Sequence, residues 1–521
     1  MKTIRLPFLA VRPGVLGLAA LLLAACAPMP PTGGLAPPVR VAPAPVAAKA
    51  LAADERCGGA LEAQTWALWD AQGRKFLREQ LIGARLLRAG DSYALYDMQT
   101  YFHNIEAMAE RCQRTERLVQ LADDLMPLLG AQQPLPGKPD QRGWVCQGGA
   151  ICNARNKLIN TEVSLDSVQG LGLMSALAGA LARSPDPQAR AHPFIGQTVQ
   201  ASVAHLLRWG DASARRDWQR RLGAQPQDVK DGSSALFFTD YLLWQIAVYA
   251  NVAGVAVQQP ELMRSLGIER ATQNELAQNI DLLLRFFRAR LSLATIDSPR
   301  LGRVRVADLD RGFWRLRAEN RYAGYTGTTP PALCRPGGNG MQAQLMVDAK
   351  DIAPVADLGW DFSHARRLVH ALDALGQNRP ALQAWYGLPS VALPPADLPQ
   401  AFAAQLLAKV WNGDAHAPLF ANYWSGANGW YRVAYDNGTG YCYAGYPPFG
   451  LSDSFATGGY ATWAQYYPLI GELARTLLNR SASSQPDDQA FIRTHFPNLS
   501  ATASASSRML TQLMFWPSLI R

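Results

Sequence analysis

"GWDFSHARRLVHALDALG", residues 359–376, combines two kinds of residue that rarely serve one purpose. Leu368, Val369, Ala371 and Leu372 fall at the spacings of one helical face, so the second half reads as a helix that packs into a core. The first half is different. Asp361 and Ser363 are both good helix N-caps, and either would place His364 and Arg366 on the first turn. A helix start carries unpaired backbone N–H groups and a partial positive charge. His is the side chain most easily tuned to act near neutral pH, and Asp361 could orient it. The plainer reading has Asp361 as a cap, Arg366 in solvent and His364 on a backbone carbonyl.

The same grammar, a polar entry followed by an apolar helix, repeats along the chain. "YALYDMQTYFHNIEAMAERCQ" (93–113) spaces Leu95, Met98, Phe102, Ile105 and Met108 by three or four. "TEVSLDSVQGLGLMSALAGALARS" (161–184) is rich in small residues, which predicts a closely packed helix. "SALFFTDYLLWQIAVYANVAGVAV" (234–257), "QNELAQNIDLLLRFFRARLSLA" (273–294) and "YATWAQYYPLIGELARTLLN" (460–479) continue the series. The expectation is a mainly α body over residues 53–480, followed by a C-terminal extension, 481–521.

Two irregular stretches, 301–358 and 422–450, interrupt the helices. Both are rich in Gly, Asn, Tyr, Trp and Arg. Long loops with no regular structure are usually functional or disordered, and these are too aromatic for disorder. "WYRVAYDNGTGYCYAG" (430–445) carries Asp436-Asn437-Gly438 between aromatic runs, a hairpin signal. A strand there would point Tyr431 and Arg432 to opposite faces. Asn320, Arg321 and Tyr322 offer a similar set of residue types. With Trp360, Trp424, Trp430 and Tyr435 they are the expected lining of a substrate cleft, in which His364, Asp361, Arg366, Tyr431 and Arg432 would do chemistry. Among the carboxylates, Asp97, Glu162, Asp166, Asp240, Glu319, Asp361 and Asp453 are candidates for a pair acting on a glycosidic bond.

Lys2, Arg5 and Arg12 precede a short apolar run, Val15 to Ala25, that is too brief to span a bilayer. It ends in "LLAAC", with Cys26 after Leu23, Ala24 and Ala25. This resembles the lipobox of bacterial lipoproteins. The resemblance implies removal of residues 1–25 and lipidation of Cys26, and Ala27 in place of Asp implies the outer membrane. Residues 27–52 are Pro- and Ala-rich and read as a tether. Loss of the leader's three basic residues lowers the formal charge from +9 to +6. That mild excess permits an anionic partner, such as a uronic-acid polymer, and contains no Lys/Arg run of the kind that binds nucleic acid.

Six cysteines remain, and an even number in an exported chain suggests disulfides. The favoured pairs are Cys57–Cys112, Cys146–Cys152 and Cys334–Cys442; no CxxC pair points to a metal, and no cofactor motif is present.

About a dozen helices with aromatic loops late in the chain resemble the α/α-toroid architecture of glycoside hydrolases, polysaccharide lyases and glucuronyl epimerases. "WDFSHARRLVHAL" looks like a helix start of several such families, and "LSDSFATGGYATWAQYYPLIGELA" (451–474) like their closing helix. The resemblance implies a periplasmic or surface-facing lipoprotein that acts on a polysaccharide as a lyase or hydrolase. The alternative is a non-catalytic glycan-binding or envelope-assembly protein. Cys26→Ala is expected to release the protein from the membrane fraction or to block its processing. Fractionation and migration identical to wild type would contradict the lipobox reading.

Overall fold

The two most apolar helices form the centre of the molecule. In the computed structural model, which describes residues 53–230, 234–337, 340–436 and 442–521, the helices Ser164–Arg183 and Asp240–Gln258 pack on each other. Each is long and apolar enough to cross a membrane, yet 94% and 89% of their apolar windows are buried inside the protein. The small residues do what their composition predicts. A Cβ on Gly172 would lie 2.6 Å from Trp244 Cε3, so only glycine lets the indole of the second helix reach the backbone of the first. The leader, Cys26 and the tether fall outside the described residues.

Further helices extend this pair. Tyr93–Arg111 packs on Ser164–Arg183, Arg367–Gln377 on Asp240–Gln258, and Ala505–Leu519 on Tyr93–Arg111. Side-chain bonds fix their direction. At one end, Ser92 donates to Asp166 Oδ2 at 3.0 Å, while Arg367 reaches both Asp240, at 3.4 Å, and the Tyr96 hydroxyl. All of these lie at helix starts. At the other end, Arg183 pairs with Glu110 at 2.6 Å, Asn378 donates to Asn251 at 3.1 Å, and Arg111 donates to the Ile520 carbonyl at 2.8 Å. These lie at helix ends. The five helices therefore run in the same direction, with segments such as Thr115–Gly130, Pro193–Trp209 and Arg270–Arg290 packed against them.

Aligned N-termini bring partial positive charges together. The chain answers with acids in the first turns, at Asp166 and Asp240, just beyond one, at Asp97, and at the cap, Asp361, all of them buried. That is the physical reason carboxylates sit inside otherwise apolar helix patterns.

Two features depart from the sequence expectation. The helix entered at residue 270 stops at Arg290, not Ala294, and Leu291–Ser298 forms an antiparallel hairpin with Gly302–Leu309. Arg290 anchors the change by donating to Asp310 Oδ1 at 2.9 Å and to the Leu236 carbonyl at 3.0 Å. The stretch 301–358, one of the two irregular stretches that leave room for short hairpins, holds a second hairpin, Ala332–Gly337 with Gly340–Leu345. Residues 481–521 are no extension: Leu513, Phe515, Leu519 and Ile520 are fully buried, and Arg521 exchanges backbone hydrogen bonds of 2.9 Å with Glu55 and Cys57.

All three expected disulfides form, with Cα–Cα distances of 5.3, 5.5 and 6.2 Å. Cys334–Cys442 ties the two aromatic loops together. In the expected hairpin, Tyr435–Asp436 pairs with Cys442–Tyr443, and its turn at Asn437-Gly438 lies outside the described residues. Leu368 and Val369 are buried as the opening stretch requires. Leu368→Ala should destabilise the protein by about 2–5 kcal/mol in urea denaturation; a loss below about 1 kcal/mol would contradict its place in the core.

Candidate functional site

Of the two caps that the sequence offers, Asp361 and Ser363, the helix start uses Asp361. Its Oδ1 accepts from the Ser363 hydroxyl at 2.5 Å and from the His364 backbone at 3.1 Å. Its Oδ2 lies 2.7 Å from His364 Nδ1 and 3.3 Å from the Trp314 indole nitrogen. Burial would push the Asp361 carboxyl up, but His364, Arg432 and Ser363 outweigh it and hold the group well below the usual carboxylate range. Burial also holds His364 below its usual value, against the pull of Asp361. Near neutral pH the ring is therefore uncharged and donates from Nδ1, which leaves Nε2 as an acceptor, buried and without a partner.

A second knot adjoins this one. Glu319 Oε2 accepts from Arg432 Nε at 2.8 Å and from the Tyr431 hydroxyl at 3.3 Å, and Arg317 pairs with Glu319 Oε1 at 3.2 Å. Burial raises the Glu319 carboxyl, but Arg317 and Arg432 bring it down to about 2. The Tyr431 oxygen is 3.5 Å from His364 Nδ1. The expectation that Tyr431 and Arg432 point to opposite faces is corrected here. Arg432 has φ +51°, so the backbone turns and brings both side chains to Glu319.

His364 is 1% exposed, and Tyr431 and Arg432 are buried with it. Within the first half of the opening stretch, the residue that reaches open space is Arg366. The first turn, Phe362–Ala365, ends there before the helix resumes at Arg367. Arg366 lines a cleft of about 120 Å³ together with Tyr101, Tyr446, Asp453, Asn498 and Thr511. Tyr446 exchanges backbone hydrogen bonds of 2.7 and 3.0 Å with Tyr431, so the cleft wall and the buried cluster share a bridge.

Asp453 is the chemically unusual member. Its Oδ2 accepts from Asn498 at 3.3 Å, while Oδ1 is buried with no partner among the described residues. Burial pushes this carboxyl up to about 6, opposed by Asn498 and Arg366. Asp97 is also pushed up to about 6 by burial, opposed by Arg85 at 2.5 Å and by Arg366. The Arg366 guanidinium thus acts on two carboxyls that titrate near neutrality. Asp97 and burial together push the Tyr101 hydroxyl up.

The remaining predicted lining residues are placed otherwise. Trp360, Trp424, Trp430 and Tyr322 are buried. The Trp424 and Trp430 indoles donate to the carbonyls of Ala307 at 3.0 Å and Gly327 at 2.7 Å, as packed tryptophans do. Asn320 is buried against the Trp314 carbonyl, Arg321 is exposed on a small cavity beside Asn320, and Tyr435 stacks on the Arg432 guanidinium. Glu162 is bound by Arg208 and His205 and held at about 2. Asp166 and Asp240 serve the helix starts described above. Of the cleft residues, the sequence reading named Arg366 and Asp453. It missed Tyr101, although Tyr101 follows Asp97 by one helical turn. It also missed Asn498, which lies in the segment taken for an extension.

Comparison with protein-family models, with curated proteins and with solved structures finds no match.

Leaving buried donors without their charged acceptor costs about 1–3 kcal/mol, so Asp361→Asn should lose stability of that order in denaturant at pH 7. The folded-state pKa of Asp361 is depressed, so its contribution is present above the unfolded value and is lost as pH falls. The gap between variant and wild type should therefore close below about pH 4. A variant as stable as wild type at pH 7 would contradict the cap-and-ring arrangement.

Proposed function

We propose that this protein is a lipid-anchored envelope protein whose body is an α/α toroid, and that it cleaves a polysaccharide by hydrolysis. The same-sense packing of five helices supports the toroid reading, and the lipobox-like "LLAAC" supports the anchor. The observation that carries the chemistry is Asp453: a carboxyl raised to about 6 at the wall of a cleft, with one oxygen unpartnered. A general acid must hold its proton at working pH and release it to the leaving oxygen, and burial prepares a carboxyl for this. Asp97, the other carboxyl that Arg366 acts on, is the candidate for the second carboxylate. Arg366 suits an acidic sugar on the polymer.

A lyase would need a base, and the upward shift of Tyr101 works against that residue in the role. His364 and Asp361 contribute by fixing the turn that presents Arg366.

The test is release of reducing ends from a panel of bacterial exopolysaccharides, neutral and uronic-acid-containing. Asp453→Asn should cut kcat/KM by about 100-fold or more. Because the acid acts in its protonated form, the wild-type rate should fall as pH rises through about 6. Polymer that is bound but never cleaved would overturn the hydrolase reading in favour of a glycan-binding or assembly role.

A further inference from the structure

The opposite end of the five helices encloses a larger space, about 540 Å³, lined among others by His103, Glu106, Arg111, Trp244, His370 and Asp373. Glu106 is 2% exposed, and its Oε1 has no partner. Its other oxygen lies 3.8 Å from His103 Nε2, but burial and the neighbouring His370 hold that ring uncharged. Asp373, partly buried, enters no hydrogen bond or ion pair with the described residues. Burial pushes its carboxyl up to about 6, and that of Glu106 well above its usual value. The nearby guanidiniums are engaged elsewhere. Arg111 donates to the carbonyls of Ile520 and Pro517 at 2.8 and 2.7 Å, Arg183 holds Glu110, and Arg521 donates to the Ala461 carbonyl at 3.4 Å.

The aromatic side of the cavity is equally specific. His103 and His370 stack at 3.8 Å with an interplanar angle of 8°, and Trp244 lies within 23° of both. The Trp244 indole N–H is buried without an acceptor. Among the described residues, the cavity thus presents two carboxyls with no cation hydrogen-bonded to them, one donor lacking an acceptor, and flat ring surfaces. A buried polar group without a partner is costly, and a ligand that completes it recovers that cost.

We propose that this cavity is a second binding site, for an amino sugar. The ammonium group sits between Glu106 and Asp373, a ring hydroxyl accepts from Trp244, and the C–H face of the sugar lies on the aromatic rings. A free hexosamine and a de-N-acetylated unit of a polysaccharide share this chemistry. The site stands apart from the cleft at Asp453 and does not depend on what that cleft does.

Isothermal titration of the folded protein tests it, with glucosamine, its β-1,4-linked disaccharide and the N-acetylated disaccharide as probes. The amines should bind at least tenfold more tightly than the acetylated sugar. Tighter binding of the amine disaccharide than of glucosamine would assign a chain as the source, and equal binding the free sugar. Glu106→Gln and Asp373→Asn should each weaken amine binding about tenfold, with circular dichroism unchanged. Asp453→Asn should bind as wild type, which separates this site from the proposed catalytic one. Equal affinity for amine and acetylated sugar, no binding of either, or wild-type binding by the Asp373→Asn variant would overturn the proposal.

Discussion

Five helices running in one direction impose an electrostatic condition on everything around them. Their starts carry partial positive charge to a common end, and their closing carbonyls carry partial negative charge to the other. Burying such an arrangement requires compensating groups at both ends. The starts receive Asp97, Asp166, Asp240 and Asp361, the far ends Arg111 and Arg183, all on or beside the helices concerned. Arg367 shows how tightly the first set is knit: one guanidinium reaches the first turns of two other helices, at Asp240 and Tyr96.

This condition also accounts for where chemistry can occur. Acids gathered at helix starts and taken out of water do not all find a full partner. Asp361 is fully satisfied, so it is ionised and structural. Asp453, beside the same end, has one bare oxygen and borders open space. The aromatic loops, joined by Cys334–Cys442, cover this end, and most of their rings turn inward to seal it. What stays open is a narrow cleft in which Arg366 presents charge to whatever enters. At the far end the compensation is incomplete in the opposite sense, because Glu106 and Asp373 face a cavity whose neighbouring arginines are already bound to backbone or to Glu110.

Much of the fold is legible in the sequence because it rests on local periodicity. The helix of Leu368 and Val369 and the small-residue helix around Gly172 follow from spacing and residue type alone, which also narrow the cap to Asp361 or Ser363. The disulfides follow from an even cysteine count and the segments they join. The hairpin at Leu291 was illegible because "LSLA" continues the apolar run of the preceding helix, and only the long-range anchoring of Arg290 to Asp310 and Leu236 ends that helix early. Composition could not separate tryptophans that line a cleft from those that seal one; Trp360, Trp424 and Trp430 seal. Nor could spacing decide between His364 and Arg366. Two residues apart on one turn, they lie about 200° apart around the helix axis and so face opposite environments.

The central claim is that the helix starts, and Arg366 and Asp453 in particular, form the surface that meets a polysaccharide. A crystal structure of the protein soaked with neutral and uronic-acid oligosaccharides tests it most directly. The account predicts a sugar ring bound in the cleft, with an oxygen in contact with the Arg366 guanidinium and another within hydrogen-bond distance of Asp453 Oδ1. Saccharide bound elsewhere, with Arg366 and Asp453 untouched, would contradict it.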